Sequence, residues 1–525
     1  MARVEKTIPN LYRDSVALMQ LSTRISSLPG ITRATVVMAT QANIALLAEA
    51  NLLNEQVPAR PNDLLIIFEG ADEASITAAM RETEFALQET PETPAAAGAI
   101  PSIPPTSLQM GLEDIPGANF ALISTPGEYA AAEAEKALRL DLNVMVFSAN
   151  VHIDDEIALK RWAHDRGLLM MGPDCGTAVV NGIPLGFANV LRRGPVGAVA
   201  SAGSGLQEVT SLIDRAGIGI SQALGCGGRD LSDEVGGMSM LQGLTALTND
   251  ASTQVIVLIA KHPSPKIARK IWDAAQKVGK PVVVNFLGVD IKGVADTVHA
   301  AETLEDAARL AVMLARGERR PTVAKSQSTA LSMLAREQTS RLGAAQRYVR
   351  GLFSGGTFCY ESQVLLTKEI GTVWSNAPVD PANSLPDVWK SREHTVIDLG
   401  DGVFTRGRPH PMIDLRLRLE RIVQEFNDPE TSVILLDVVL GYGANMNPAT
   451  EIAASIAEAR RNREGGERHV IFVASICGTD GDPQNRKQQE TILRNAGVLI
   501  APSNAAATRM AARIVSDHRN RMTQP

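Results

Sequence analysis

At 525 residues the chain has room for three to four domains of roughly 100–200 residues each. Its hydrophobic share of 45% is that of an ordinary globular protein, and a net charge of −7 with 4% aromatics excludes a nucleic-acid binder built on a basic patch and stacking rings. Cys175, Cys226, Cys359 and Cys477 stand far apart, so neither a disulfide framework nor a metal site is expected. The charged start MARVEKTIPNLYRD does not read as a secretory leader, and no apolar run approaches the ~20 residues of a membrane span. The expected setting is the cytoplasm, with no membrane or nucleic-acid partner.

Residues 1–90 alternate short strands (ITRATVVMAT, DLLIIFEG) with amphipathic helices (DSVALMQLSTRISSL, ASITAAMRETEFALQ), which predicts a small α/β domain. Residues 91–117 read as a linker, since Pro91, Pro94, Pro101, Pro104 and Pro105 remove backbone donors and fix φ. Residues 118–194 run NFALIS, GEYAAAEAEKALRL, NVMVFS, DDEIALKRWAHDRG and LLMMGPD. Continuous apolar strands between helices predict a parallel sheet covered on both faces. The unit is short and lacks GxGxxG, so a truncated Rossmann-like domain is expected.

The remainder repeats itself. Residues 195–316 and 349–525, joined by a linker (317–348) with one helix at about Ala324–Thr339, pass through the same events in order. VGAVASAGSGLQEV matches RGLFSGGTFCYESQ, LGCGGRD matches LGDGVF, TQVIVLIAKHP matches TSVILLDVVLGYG, and KPVVVNFLG matches RHVIFVASICG. A last apolar strand precedes the final helix of each half. Two pseudo-repeated flavodoxin-like domains with parallel sheets follow from that order.

In such sheets ligands bind beyond the carboxyl ends of the strands. Ser201, Gly203, Ser204 and Gly205 lie between a strand and a helix, where free amides and the helix dipole suit a phosphate or carboxylate. Gly355, Gly356 and Thr357 repeat that arrangement, each loop alone being equally readable as a tight turn. Gly227 and Gly228 precede Arg229 and Asp230, which could clamp an anion or hold their own loop. Gly441, Gly443 and Asn445 form another candidate nest, with Lys261-His262 at the matching place in the first half. Asp401, Arg408 and His410 complete the candidates for catalysis. No HExxH or HxxxH pattern marks the eight histidines, and a buried structural thiol is the more common role for a cysteine such as Cys175.

MGPDCGTAVVNGIP, GPVGAVASAGSG and LGCGGRDLS resemble the α subunit of succinyl-CoA synthetase, and the last third resembles the carboxyl-terminal ligase domain of its β subunit. The fused arrangement, with DSVALM, SGGT at 354–357, LGD at 399–401 and GRPHPMID at 407–414, is similar to the FdrA-like family, most closely its YahF-type branch. The synthetases carry a phosphohistidine on a Gly-His-Ala-Gly loop; Val289–Asp296 stands there instead, and His299 beyond it does not inherit the role. No ATP-grasp domain is present. The resemblance implies a subunit of a carbamoyltransferase, oxamate carbamoyltransferase-like, with carbamoyl phosphate or phosphate as substrate and other subunits as partners. An ADP-forming acyl-CoA synthetase working with an ATP-grasp partner is the alternative, with CoA as a possible ligand. A non-catalytic assembly or regulatory subunit is the third reading. A homodimer is compatible with each.

Overall fold

The computed structural model describes residues 2–13, 15–49, 52–53, 60–88, 105–289, 297–318, 329–405, 408–462 and 469–523. Pro91, Pro94, Pro101 and Pro104 of the expected linker, and Asp290–Asp296 of the loop that lacks a histidine, lie outside these residues. So do residues 324–328; the linker helix is described over Thr329–Thr339.

The amino-terminal unit is a three-stranded antiparallel sheet ordered Ala2–Ile8, Leu64–Gly70, Ile31–Met38. The central strand, LLIIFEG, is apolar without alternation because both its faces are covered. Leu64, Ile66 and Phe68 enter one core while Leu65 and Ile67 enter another. A second sheet pairs Phe120–Ile123, Asn143–Val146 and Met170–Met171 in parallel. The helices Gly127–Arg139 and Ile153–Asp165 connect its strands.

The repeat is realised in full. In the first half the parallel order is Ile220–Gly225, Arg193–Ala200, Val255–Lys261, Val282–Leu287, Val298–Ala300. In the second it is Thr395–Asp398, Tyr348–Phe353, Thr431–Val439, Ile471–Cys477, Val498–Ala501. Both read 2-1-3-4-5 by chain order, the flavodoxin-like arrangement. One segment departs from the expected grouping. The hairpin Thr177–Val180 and Ile183–Gly186, placed with residues 118–194 from sequence, pairs antiparallel with Ile220–Gly225 and extends the first half's sheet to seven strands.

The halves share one continuous core. Leu206, Val209 and Ile213, spaced at i, i+3 and i+7 on the helix Gly203–Arg215, pack in the same cluster as Phe358 and Leu366 of the helix Gly356–Ile370. Each of these helices also closes the other half's last helix. Glu208 accepts the Asn504 amide at 3.0 Å, at the start of the helix Asn504–Thr523. Glu361 accepts the Leu304 amide at 2.8 Å, at the start of the helix Leu304–Ala315. The two glutamates stand at the same offset from the first glycine of their helices, so the capping is reciprocal across the pseudo-two-fold. Asn504 Nδ2 donates to Glu361 at 2.8 Å and links the pair.

Candidate functional site

Parallel strands deliver their carboxyl ends to one edge, and the edges of both halves face a single cavity of about 1060 Å³. Ser201 and Gly203 follow one strand, Gly227 and Gly228 the next, and Lys261 ends a third. From the second half come Ser354, Gly356, Thr357, Asp398 and Gly400, with Arg408 and His410 from the following loop. The cavity continues past Thr125–Glu128 and Asn150 of the three-stranded sheet to Met19 and Asn43 of the amino-terminal unit.

The two matched loops are not equivalent. The helix Gly203–Arg215 begins after Ala202, which offers no capping side chain, so its first-turn amides open on the cavity. The Ser201 hydroxyl beside them is buried without a hydrogen-bond partner among the described residues, its residue 4% exposed. An anion would satisfy both. In the second half that place is taken from within. Asp437 accepts the Ser354 amide at 2.9 Å and the Gly355 amide at 2.7 Å, and is paired with buried Arg418 at 2.7 Å. Thr357 donates its amide to Ser204 Oγ at 3.3 Å. Two amides of the Gly355–Thr357 loop, those of Gly355 and Thr357, are thus already taken by a protein carboxylate and a hydroxyl, unlike the matching loop of the first half.

Other sequence candidates also lie elsewhere. Asp230 sits at zero exposure, holding Lys160 at 2.7 Å and the amides of Ser239 and Met240 at 3.0 Å. Arg229 reaches Glu156 at 2.8 Å and the Val151 carbonyl at 2.8 Å. Both lock their loop to the helix Ile153–Asp165, the structural option. Gly227 is required there: with φ +86°, a Cβ would stand 2.1 Å from the Pro173 carbonyl. Gly441 exchanges hydrogen bonds with Gln484, Gly443 packs on Phe187, and Asn445 holds Glu451 and the Ile413 carbonyl, so this loop joins the halves and does not line the cavity. Gly205 packs against Thr357, and Asp401 caps its own turn at Val403.

His410 does reach the cavity. The Met412 amide donates to its Nδ1 at 3.2 Å, so the proton of the neutral ring rests on Nε2. Burial pulls its pKa down to about 4, against the opposite pull of Asp437, and the ring is uncharged at neutral pH. Cys175 lines the wall, but burial pushes its thiol up to about 12, which removes it as a nucleophile. His299 lies in the edge strand Val298–Ala300, outside the cavity lining. Among the described residues no group of three or more His, Cys, Asp or Glu could hold a metal ion.

Asp398 carried no sequence signal that was used, and Lys261 was noted only as the counterpart of the Gly441–Asn445 loop. Asp398 and Lys261 each end an otherwise apolar strand, TVID and VIVLIAK, at the cavity edge. Asp398 is 6% exposed and burial raises its carboxyl to about 6, against the nearby Lys261 charge, which lowers it. The signal was there in sequence: a charge at the last position of a buried parallel strand points at the ligand edge.

Comparison with known proteins agrees with this architecture. Residues 352–514 match the CoA-ligase family, 196–288 the CoA binding domain, and 1–101 a family described as AllF, heavy metal-associated domain. The α subunit of ADP-forming succinate–CoA ligase from Staphylococcus epidermidis is 26% identical over 176 residues, which is 33% of this chain and 57% of that subunit. ATP citrate lyase from Methanothrix soehngenii, in complex with citrate and coenzyme A, aligns over 80% of this chain and 86% of its own at 12% identity and a TM-score of 0.32. No helix among the described residues is long and apolar enough to cross a membrane. The uncharacterized protein YahF of Escherichia coli K12 is 41% identical over 502 residues, covering 94% of this chain and 95% of YahF. The chain thus belongs to the YahF-type, FdrA-like family of succinyl-CoA synthetase-like proteins.

Proposed function

We propose that this chain is an acyl-CoA synthetase-type enzyme subunit that transfers an acyl group from an acyl phosphate to CoA. The observation that carries the reading is the uncapped start of the Gly203–Arg215 helix, with the unpartnered Ser201 hydroxyl beside it and Lys261 on the same cavity. Free amides, a hydroxyl and an ammonium group form the donor set that a phosphate takes. CoA fits by extent: the cavity runs on to a second helix start, Gly127–Arg139, which also lacks a capping side chain. The family and its ligase relatives support acyl-CoA chemistry. The carbamoyltransferase expectation finds no support among them, and the acyl reading takes its place. An ATP-grasp subunit would supply the acyl phosphate in this scheme.

Inorganic phosphate should raise the melting temperature, since a ligand that binds only the folded state at 100 times Kd adds about 2.7 kcal/mol. Gly203→Asp should abolish that rise. It places a carboxylate at the first turn, and the Cβ meets only Thr177 Oγ1 at 3.4 Å, so the fold accommodates it. Gly205→Asp would be a poor probe, because its Cβ would stand 2.9 Å from Thr357 and disturb the contact between the halves. A Gly203→Asp protein that keeps the full phosphate shift would show that the anion binds elsewhere.

A further inference from the structure

We propose that Asp398 is the general base that takes the proton from the acyl acceptor, with Lys261 beside it facing the departing phosphate. This rests on the acyl-transfer reading. Asp398 Oδ1 accepts the Gly400 amide at 3.0 Å, which fixes the carboxylate. Its Oδ2 accepts no hydrogen bond among the described residues and stands at the start of the Gly356–Ile370 helix, 2.6 Å from where a Gly356 Cβ would be. Lys261 Nζ lies 3.1 Å from that same point and has no hydrogen bond or ion pair among the described residues. A glycine at 356 leaves room for base and cation side by side, and both line the cavity with Ser201 and Gly203.

The repeat makes the division of labour intelligible. The first half keeps its helix start open for an anion. The second half has filled its own with Asp437 and set Asp398 next to it. An anion-receptive face therefore opposes an acid–base face across one cavity.

In the step proposed, the thiol proton of CoA passes to Asp398 Oδ2 as sulfur bonds to the carbonyl carbon of the acyl phosphate. The tetrahedral adduct collapses, the bond from carbon to the phosphate oxygen breaks, and the proton moves from Asp398 to the leaving phosphate. Products are the thioester and hydrogen phosphate, with the carboxylate regenerated. Several groups set the titration of Asp398. Lys261 from its strand favours the charged form, while Asp401 on the loop that follows and Asp437, two strands away across Tyr348–Phe353, oppose it. The Cys359 thiol and the neutral His410 ring complete its surroundings. A carboxyl raised to about 6 is charged at neutral pH and more basic than an ordinary aspartate, which suits the role.

Asp398→Asn tests this in two arms. With acetyl phosphate and CoA, transfer should fall by about 10²–10⁴-fold, and the acid limb near pH 6 in the wild-type profile should disappear. Independently, calorimetry in buffers of different ionisation heat should show wild type taking up protons near pH 6 on binding sulfate, a tetrahedral anion that does not itself titrate there. The variant should bind sulfate at least as well and take up none. A variant that retains the wild-type rate and acid limb overturns the proposal, as does one that retains proton uptake. Should wild type bind sulfate yet move no acetyl group, the acyl-CoA reading fails, while the proton arm still decides whether Asp398 titrates against the bound anion.

Discussion

Lys160→Met should cost about 3–5 kcal/mol of stability, the largest single loss expected outside the hydrophobic cores. Lys160 is 2% exposed and donates to Asp230 at 2.7 Å and to the Cys226 carbonyl at 3.0 Å, with Glu156 at 3.0 Å. Burial alone pulls its ammonium pKa down, but Asp230 and Glu156 together outweigh burial and hold it above the usual lysine value. Methionine fills the same volume and leaves two buried carboxylates without their cation. Arg229 relieves Glu156 in part, so most of the cost falls on Asp230, which also carries the amides at the start of the helix Met238–Asn249. The urea midpoint reads the effect. Adding Asp230→Asn and Glu156→Gln to the lysine change should recover much of the loss, because no buried charge is then uncompensated and Arg229, half exposed, is solvated. A loss below 1 kcal/mol for the single variant would mean that the cluster does not hold the loop, and would reopen Arg229 and Asp230 as ligand-binding residues.

The second large effect is on pH dependence. Glu361 is 1% exposed, and burial raises its carboxyl to about 7 from an ordinary 4.5, with Glu208 pushing the same way and the Asn504 and Leu304 donors opposing. Burial raises the Glu208 carboxyl as well. A carboxyl that titrates higher when folded favours the neutral acid, so its stabilisation is complete below about pH 4.5 and is lost as pH rises through about 7. For Glu361 that loss is on the order of 3 kcal/mol. Denaturation midpoints measured from pH 4.5 to 8 should therefore fall with rising pH in wild type. Glu361→Gln should flatten the fall and gain stability at pH 8. An unchanged slope in the variant would show that Glu361 titrates in the folded protein as it does unfolded.

The order of elements was legible because each parallel strand is an unbroken apolar run and each loop after it is rich in glycine. That pattern made the repeat visible, and the 2-1-3-4-5 sheets followed. His410 and Arg408 were found by their motif and do line the cavity. What stayed hidden depended on neighbours in space. Asp437 sits within a strand, TSVILLDVV, and becomes the occupant of the second nest only because that strand lies beside Tyr348–Phe353, with Leu436 opposite Leu352. Lys160 and Asp230 are 70 residues apart, one on a helix and the other in a glycine-rich loop, and nothing in either segment alone pairs them. Asp401 was preferred to Asp398 because it stood among glycines, whereas the end of the buried strand was the stronger position. The hairpin at 177–186 changed sheets because its pairing partner, Ala223 opposite Val179, belongs to the next unit.

Reciprocal capping by Glu208 and Glu361 bears on how the molecule can move and how it came to be one chain. Swinging the halves apart would bare the starts of two helices and strand two carboxyl groups in a wet cleft. Entry to the cavity therefore falls to the side lined by Met19 and Asn43 of the amino-terminal unit, where no such exchange among the described residues ties the wall to the two halves. It also makes each half the folding partner of the other. Cut within 319–328 and produced as two polypeptides, the halves should stay insoluble or molten singly and regain a common melting transition only when mixed. Fusion then served stoichiometry: one messenger delivers both partners of an obligate pair in equal number and within reach of each other.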